Sequence, residues 1–171
     1  MQIALFDAKP YDVEWFDRTN AEFRFDIKYF ESKLNPDTAV LAQGCGAVVA
    51  FVNDTLNAET IRRLYGMGIR MAALRCAGYN NVDLSAAYGR VHVARVPDYS
   101  PHAVAEHAAA LLLAVNRRLH KAYTRIREGN FSIAGLMGAD LFGKTAGVVG
   151  TGRIGRAFVS ICRGFGMRTL A

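Results

Sequence analysis

Apolar residues fall in short runs over the first hundred positions, each separated from the next by an amphipathic or polar stretch. Gln2–Phe6, Ala47–Phe51, Met71–Cys76 and Val91–Val96 read as strands. Phe23–Ile27 alternates Phe-Arg-Phe-Asp-Ile and reads as a half-exposed strand. Asn35-Pro36-Asp37 breaks the chain, after which a helix can begin at Thr38–Ala42. Asn57–Tyr65 predicts a helix stopped by Gly66, and Val82–Tyr88 a short helix stopped by Gly89. Strands separated by helices argue for βαβ units and a parallel sheet. Continuous apolar runs suit strands covered on both faces. The expected fold class is therefore α/β, with a flavodoxin-like parallel-sheet lobe over residues 1–100.

The pattern then changes. Ser100-Pro101 opens a helix, with Ser as N-cap and Pro at the first helical position. This helix is expected to run to about Arg127, apolar all round from Ala103 to Val115 and basic beyond. Such a first half must be buried against more than one surface. Joining two lobes, or packing on a second subunit, would meet that need. A loop with Gly135 and Gly138 follows. Thr145–Val149 reads as a buried strand, Gly150–Gly155 as a turn, Arg153–Phe165 as a helix and Arg168–Ala171 as the opening of another strand. Residues 101–171 are thus expected to hold an inter-lobe helix and the first βα unit of a Rossmann nucleotide-binding domain.

Composition narrows the possibilities further. With 51% hydrophobic and 21% charged residues the chain can build a core, which argues against disorder. The net charge of +6 invites a nucleic-acid reading. The densest basic runs, Arg117-Arg118-Leu119-His120-Lys121 and Arg125-Ile126-Arg127, instead fit a solvated helix end, so no nucleic-acid partner is expected. Cys45, Cys76 and Cys162 form no C-x-x-C pair and sit among apolar or small neighbours, as free thiols in a reducing compartment do. The start of the chain has no basic segment before its apolar run, and the longest aliphatic stretch, Ala108–Val115, is far short of a membrane span. A cytoplasmic protein is expected.

Three segments carry candidate chemistry. In Gly150-Thr151-Gly152-Arg153-Ile154-Gly155, the G-x-G-x-x-G spacing follows an apolar strand and opens a helix, the context a dinucleotide fingerprint requires. Gly150 allows the tight turn, Gly152 lets the backbone approach a pyrophosphate, and Gly155 lets helix and strand pack closely. The N–H groups around Arg153 and Ile154 would then meet the phosphates at the helix N-terminus. In Arg75-Cys76-Ala77-Gly78-Tyr79-Asn80-Asn81-Val82-Asp83-Leu84 a strand gives way to a short helix, where ligands of open α/β sheets bind. The amides of Ala77 and Gly78 could hold a carboxylate there; the segment reads equally as a plain turn capped by Asn81 or Asp83. In Val96-Pro97-Asp98-Tyr99-Ser100-Pro101-His102-Ala103-Val104-Ala105-Glu106-His107, His102, Glu106 and His107 lack H-E-x-x-H or H-x-x-E-H spacing, so a capping and packing role for a buried polar trio is expected in place of a metal.

RCAGYNNVDL, VPDYSPHAVAEHAAALLLAVNRRLHKAY and GKTAGVVGTGRIG occur in that order, and with the opening IALFDAKPYDVEWF they resemble the D-isomer-specific 2-hydroxyacid dehydrogenases. The likeness covers the whole chain and is strongest to the fermentative D-lactate dehydrogenase branch. It implies NAD as cofactor, a small 2-oxo or 2-hydroxy acid as substrate, and a homodimer in the full-length form. It further implies that Ala77 and Gly78 bind the substrate carboxylate, that Phe51 and Tyr99 line the substrate pocket, and that Val104 lies near the nicotinamide. Gly150, Gly152, Arg153, Ile154 and Gly155 would bind the cofactor. The family's catalytic Arg, Glu and His lie beyond the glycine loop, so the resemblance assigns no catalytic residue here. The ribose-binding acid expected about 20 residues past the loop also falls outside these residues. Phosphoglycerate, glyoxylate and formate dehydrogenases, the related nucleotide-sensing co-repressors, and an inactive gene remnant are the rival readings. Phe51 and Tyr99-Ser100-Pro101 favour the lactate branch.

Overall fold

The computed structural model describes residues 1–171. The chain divides into two compact units, Met1–Tyr99 and Ser100–Ala171.

The first unit runs β1 (Gln2–Leu5), α1 (Pro10–Phe23), β2 (Asp26–Tyr29), a 3-10 turn (Thr38–Ala42), β3 (Ala47–Ala50), α2 (Ala58–Gly66), β4 (Met71–Leu74), α3 (Leu84–Ala87) and β5 (His92–Arg95). All five strands are parallel, in the order β2-β1-β3-β4-β5. This is the flavodoxin-like order, 2-1-3-4-5. Side chains alternate between the two faces. Phe6, Val48, Ala50, Ala72 and Leu74 join the larger cluster with Leu34, Leu56, Ile61, Leu64 and Ile69. Leu5 and Val49 join the smaller one with Phe16, Ile27 and Tyr29. Asn57 caps α2 by accepting from the Thr60 N–H (2.9 Å), and Asp83 caps α3 by accepting from Ala86 (2.9 Å).

One element in this unit departs from expectation. Phe23 ends a helix, and the strand lies further on, at Asp26–Tyr29. The Asn20 amide decides the boundary: its Nδ2 donates to the Phe25 carbonyl and its Oδ1 accepts from the Phe25 N–H. Arg24 between them turns left-handed at φ 56°. α1 has a weak apolar stripe, and Asp12 is its one buried residue, so the pattern alone does not announce it.

The second unit holds α4 (Pro101–Asn116), α5 (Leu119–Arg127), β6 (Thr145–Gly147), α6 (Arg153–Gly164) and β7 (Arg168–Leu170). β6 and β7 pair in parallel, and α4 packs on α6. The single long helix expected here is two helices. Arg118 takes φ 52°, and the Asn116 amide turns away to clasp the returning loop, donating to the Ala139 carbonyl (2.7 Å) and accepting from its N–H (3.0 Å). The basic run is not merely solvated. Arg125 donates to the carbonyls of Ser132 and Ala134, and so pins the 130–134 stretch.

Burial within this unit is partial. Within α4 the buried residues are Ala105 and Ala109, while Leu111 and Val115 are exposed. The strand expected at Thr145–Val149 is shorter and half-open, and Val149 is fully exposed. β6 has one strand neighbour, so much of its surface has no covering layer. No helix is long and apolar enough to cross a membrane.

Candidate functional site

In the first unit the candidate residues gather at the carboxyl ends of β1, β3 and β4. Phe51 follows β3 and is half-buried. Its N–H donates to Asp54 Oδ2 at 2.6 Å, and its carbonyl accepts from Asn81 Nδ2 at 2.9 Å. Asp54 is almost fully buried, and its other oxygen accepts from the Leu34 N–H at 2.7 Å. Burial pushes the Asp54 carboxyl up from its ordinary value, while the N–H bonds from Phe51 and Leu34 work the other way. Asn81 also donates to the Asp54 carbonyl at 2.9 Å. The turn after β3 is therefore fixed by one buried acid and one amide.

Arg75, at the end of β4, ties three segments together. Its Nη1 donates to Asp12 Oδ1 at 2.9 Å in an ion pair with both side chains about nine-tenths buried. Its Nη2 donates to the carbonyls of Phe6 (3.3 Å) and Asp7 (2.6 Å). Its guanidinium carbon lies over the Phe51 ring, 4.4 Å from the centroid. Asp12 Oδ2 in turn accepts from the Lys9 N–H at 2.9 Å, which caps the start of α1.

Ala77 is half-buried and Gly78 exposed, on the turn between Arg75 and Asn81. A Cβ at Gly78 would meet nothing within 4 Å, so the space beside this backbone is open to a ligand. Cys76 donates its thiol to the Gly78 carbonyl, and burial pushes that thiol up from its ordinary value. Phe51, Ala77 and Gly78 are thus brought to one end of the sheet. Tyr99, also in this unit, is exposed and makes no ring contact or hydrogen bond with Phe51. Of the caps that the sequence offers for this turn, Asp83 serves as one; Asn81 instead ties the turn to the Phe51 and Asp54 carbonyls, and Asp54 and Asp12 are anchors that the fold reveals. An Asn-Asp pair directly after an apolar strand was the available signal for Asp54.

In the second unit the turn from β6 to α6 has the geometry the glycine spacing predicts. Gly150 takes φ +100°, closed to most L side chains. A Cβ at Gly155 would run into the Gly150 carbonyl oxygen, so only glycine lets the helix sit this close to the strand. Gly152 is the N-cap of α6 and supplies no side-chain cap, and a Cβ there would meet nothing within 4 Å. Arg153 and Ile154 follow in the first turn of α6. Open space beside a helix N-terminus of 12 residues suits an anionic group. Val104 lies on α4, partly exposed.

His102, Glu106 and His107 are all exposed, which corrects the buried polar trio expected from sequence. Ser100 caps α4 in their place, its Oγ accepting from the Ala103 N–H. No group of three or more His, Cys, Asp or Glu residues is arranged to hold a metal.

Residues 3–150 match the family described as D-isomer specific 2-hydroxyacid dehydrogenase, catalytic domain. The chain belongs to that family. It is 48% identical over 172 residues to the D-lactate dehydrogenase of Escherichia coli, covering all of this chain and 52% of that protein. The apo-structure of D-lactate dehydrogenase from Escherichia coli superposes with a TM-score of 0.91 at 47% identity, over 98% of this chain and 54% of that one. The structure of D-lactate dehydrogenase with NAD+ from Lactobacillus jensenii matches at TM-score 0.70 and 27% identity, over all of this chain and 53% of that one. The chain spans about half the length of the curated relatives it matches.

Proposed function

We propose that these residues form the substrate lobe (1–100) and the first dinucleotide-binding unit (101–171) of an NAD-dependent D-lactate dehydrogenase, which reduces pyruvate to D-lactate. The observation that carries this reading is the β6–α6 turn, where Gly155 packs against Gly150 and leaves the space beside Gly152 open. The Escherichia coli relative, at 48% identity, supports the lactate branch.

When bound, NADH supplies the hydride. The chain's own groups bind and orient. Gly152, Arg153 and Ile154 would hold the pyrophosphate at the start of α6, and Val104 would lie near the nicotinamide. The amides of Ala77 and Gly78 hold the substrate carboxylate, while Phe51 and Tyr99 line the pocket around its methyl end. Reduction of a ketone also consumes a proton from a positioned acid. The resemblance places that His, its Glu partner and the carboxylate-clamping Arg beyond Gly155. These 171 residues alone are therefore expected to give no pyruvate-dependent oxidation of NADH; measurable turnover by them would contradict this division of labour. A homodimer of the complete enzyme, using the exposed Leu111 and Val115 of α4, belongs to the same reading. A cytoplasmic location belongs to it too, in keeping with three free, buried cysteines.

The test is a substrate panel. The protein carrying these residues, expressed from its whole reading frame, is assayed with NADH or NADPH against pyruvate, glyoxylate and hydroxypyruvate, and the product is resolved by chiral chromatography. The highest kcat/KM on pyruvate with NADH, yielding D-lactate, is expected. L-lactate, or a preference for either other acid, overturns the reading.

A further inference from the structure

The 75–81 segment grips Phe51 at both of its ends. At one end the Arg75 guanidinium covers the ring at 4.4 Å. At the other, Asn81 Nδ2 holds the Phe51 carbonyl at 2.9 Å. Ala77 and Gly78 lie between these two grips. The Phe51 ring and the amides of that turn are thereby built as one piece, although they come from different strands.

Arg75 has the reach to do this because it is itself held on three sides. Asp12 fixes one nitrogen, the Phe6 and Asp7 carbonyls fix a second, and the ring takes the flat face. The buried Nε has no hydrogen-bond partner, so this side chain is not placed to satisfy every donor. Its position serves the other contacts at the expense of that one. A planar fork with a stacking face is what Arg offers and Lys does not.

We propose that Arg75 is a positioning residue that sets substrate size selectivity, by holding the Phe51 ring at a fixed distance from the Ala77–Gly78 amides. It rests on the reading that Phe51 lines the pocket of a 2-oxo acid. A carboxylate anchored at those amides leaves room for a methyl group against the ring and excludes longer chains. Freeing the ring admits them.

The experiment uses the protein expressed from its whole reading frame, with Arg75→Lys, Phe51→Leu and the double variant. The readout is the ratio of kcat/KM for 2-oxobutyrate to that for pyruvate, with the melting temperature followed in parallel. Arg75→Lys keeps a cation beside Asp12 but loses the stacked face. It is expected to raise the ratio about tenfold, the usual worth of a methylene in a shaped pocket. Phe51→Leu is expected to raise it similarly, and the double variant no further, because both changes remove one constraint. A purely structural role for Arg75 would lower the melting temperature and leave the ratio unchanged, and that result overturns the proposal. Multiplied effects in the double variant also overturn it. An unchanged ratio in Phe51→Leu overturns the pocket reading itself, and this proposal with it.

Discussion

Two pairs of valines share one local grammar and end in different surroundings. Val48 and Val49 lie on β3, between β1 and β4, and are 0% and 8% exposed. Val148 and Val149 follow β6, whose one strand neighbour is β7, and Val149 is fully exposed. Both pairs follow a glycine or alanine and both lead into a turn. Burial is thus a property of the completed sheet and not of the strand that enters it. The first unit closes its layers with its own helices and loops, and its turns are locked by buried polar side chains. The second holds a well-formed glycine turn on a sheet of two strands.

The sharpest way to break the comparison is to remove a lock from the first unit. Asp12→Ala leaves the Arg75 guanidinium buried without its counter-charge and removes the cap of α1. Such losses cost about 3–5 kcal/mol. Chemical denaturation monitored at Trp15, on α1, should register a loss of that size; a change below ~1 kcal/mol would show that the pair is solvated.

Amide exchange compares the units directly. In the 171-residue chain, Val48 and Val49 should exchange at least ~100-fold more slowly than Ala146 and Val148, since local stability follows burial and packing. Equal protection would remove the contrast.

Two glycine substitutions separate packing from binding in the second unit. Gly155→Ala meets the Gly150 carbonyl and should cost about 1–3 kcal/mol, as other overpacked sites do. Gly152→Ala has open space and should leave the melting temperature within a few degrees, yet weaken NADH affinity in the protein expressed from its whole reading frame. A Gly152→Ala protein with unchanged NADH affinity would detach the loop from dinucleotide binding.

The smallest effect concerns pH. The Asp54 carboxyl titrates above its ordinary value in the folded chain because it is buried. The folded state then holds its proton longer than the unfolded state. This group's contribution is fully present below the ordinary aspartate pKa and is lost as pH rises through the raised folded value. Denaturation midpoints should show that decline above about pH 4. Asp54→Asn should flatten it while lowering stability overall, because an amide cannot accept from both the Leu34 and Phe51 N–H groups in the same geometry. An unchanged slope would assign the decline to other groups.

The repeated apolar run was legible from sequence because parallel strands in a doubly covered sheet need little else. The β2-β1-β3-β4-β5 order agrees with the flavodoxin-like expectation. The glycine turn was legible because each glycine answers a separate steric demand. α1 was not, because its apolar stripe is weak; its end and the break at Arg118 were not, because both depend on amide side chains, Asn20 and Asn116, that reach backbone across a turn or far along the chain. The Arg75–Asp12 pair spans 63 positions and leaves no local pattern. What stands beside Phe51, Ala77 and Gly78 is therefore a finding of the fold.

We propose that the Gly150–Gly155 turn receives the pyrophosphate of NAD while the 75–81 turn receives the substrate acid. Hydrogen–deuterium exchange of the protein expressed from its whole reading frame, with NADH alone and then with NADH and oxamate, tests it most directly. Slowed exchange at Gly152–Arg156 on adding NADH, followed by slowed exchange at Ala77–Gly78 only on adding oxamate, is the predicted result. NADH protection absent from the glycine turn, or oxamate protection absent from Ala77–Gly78, would contradict it.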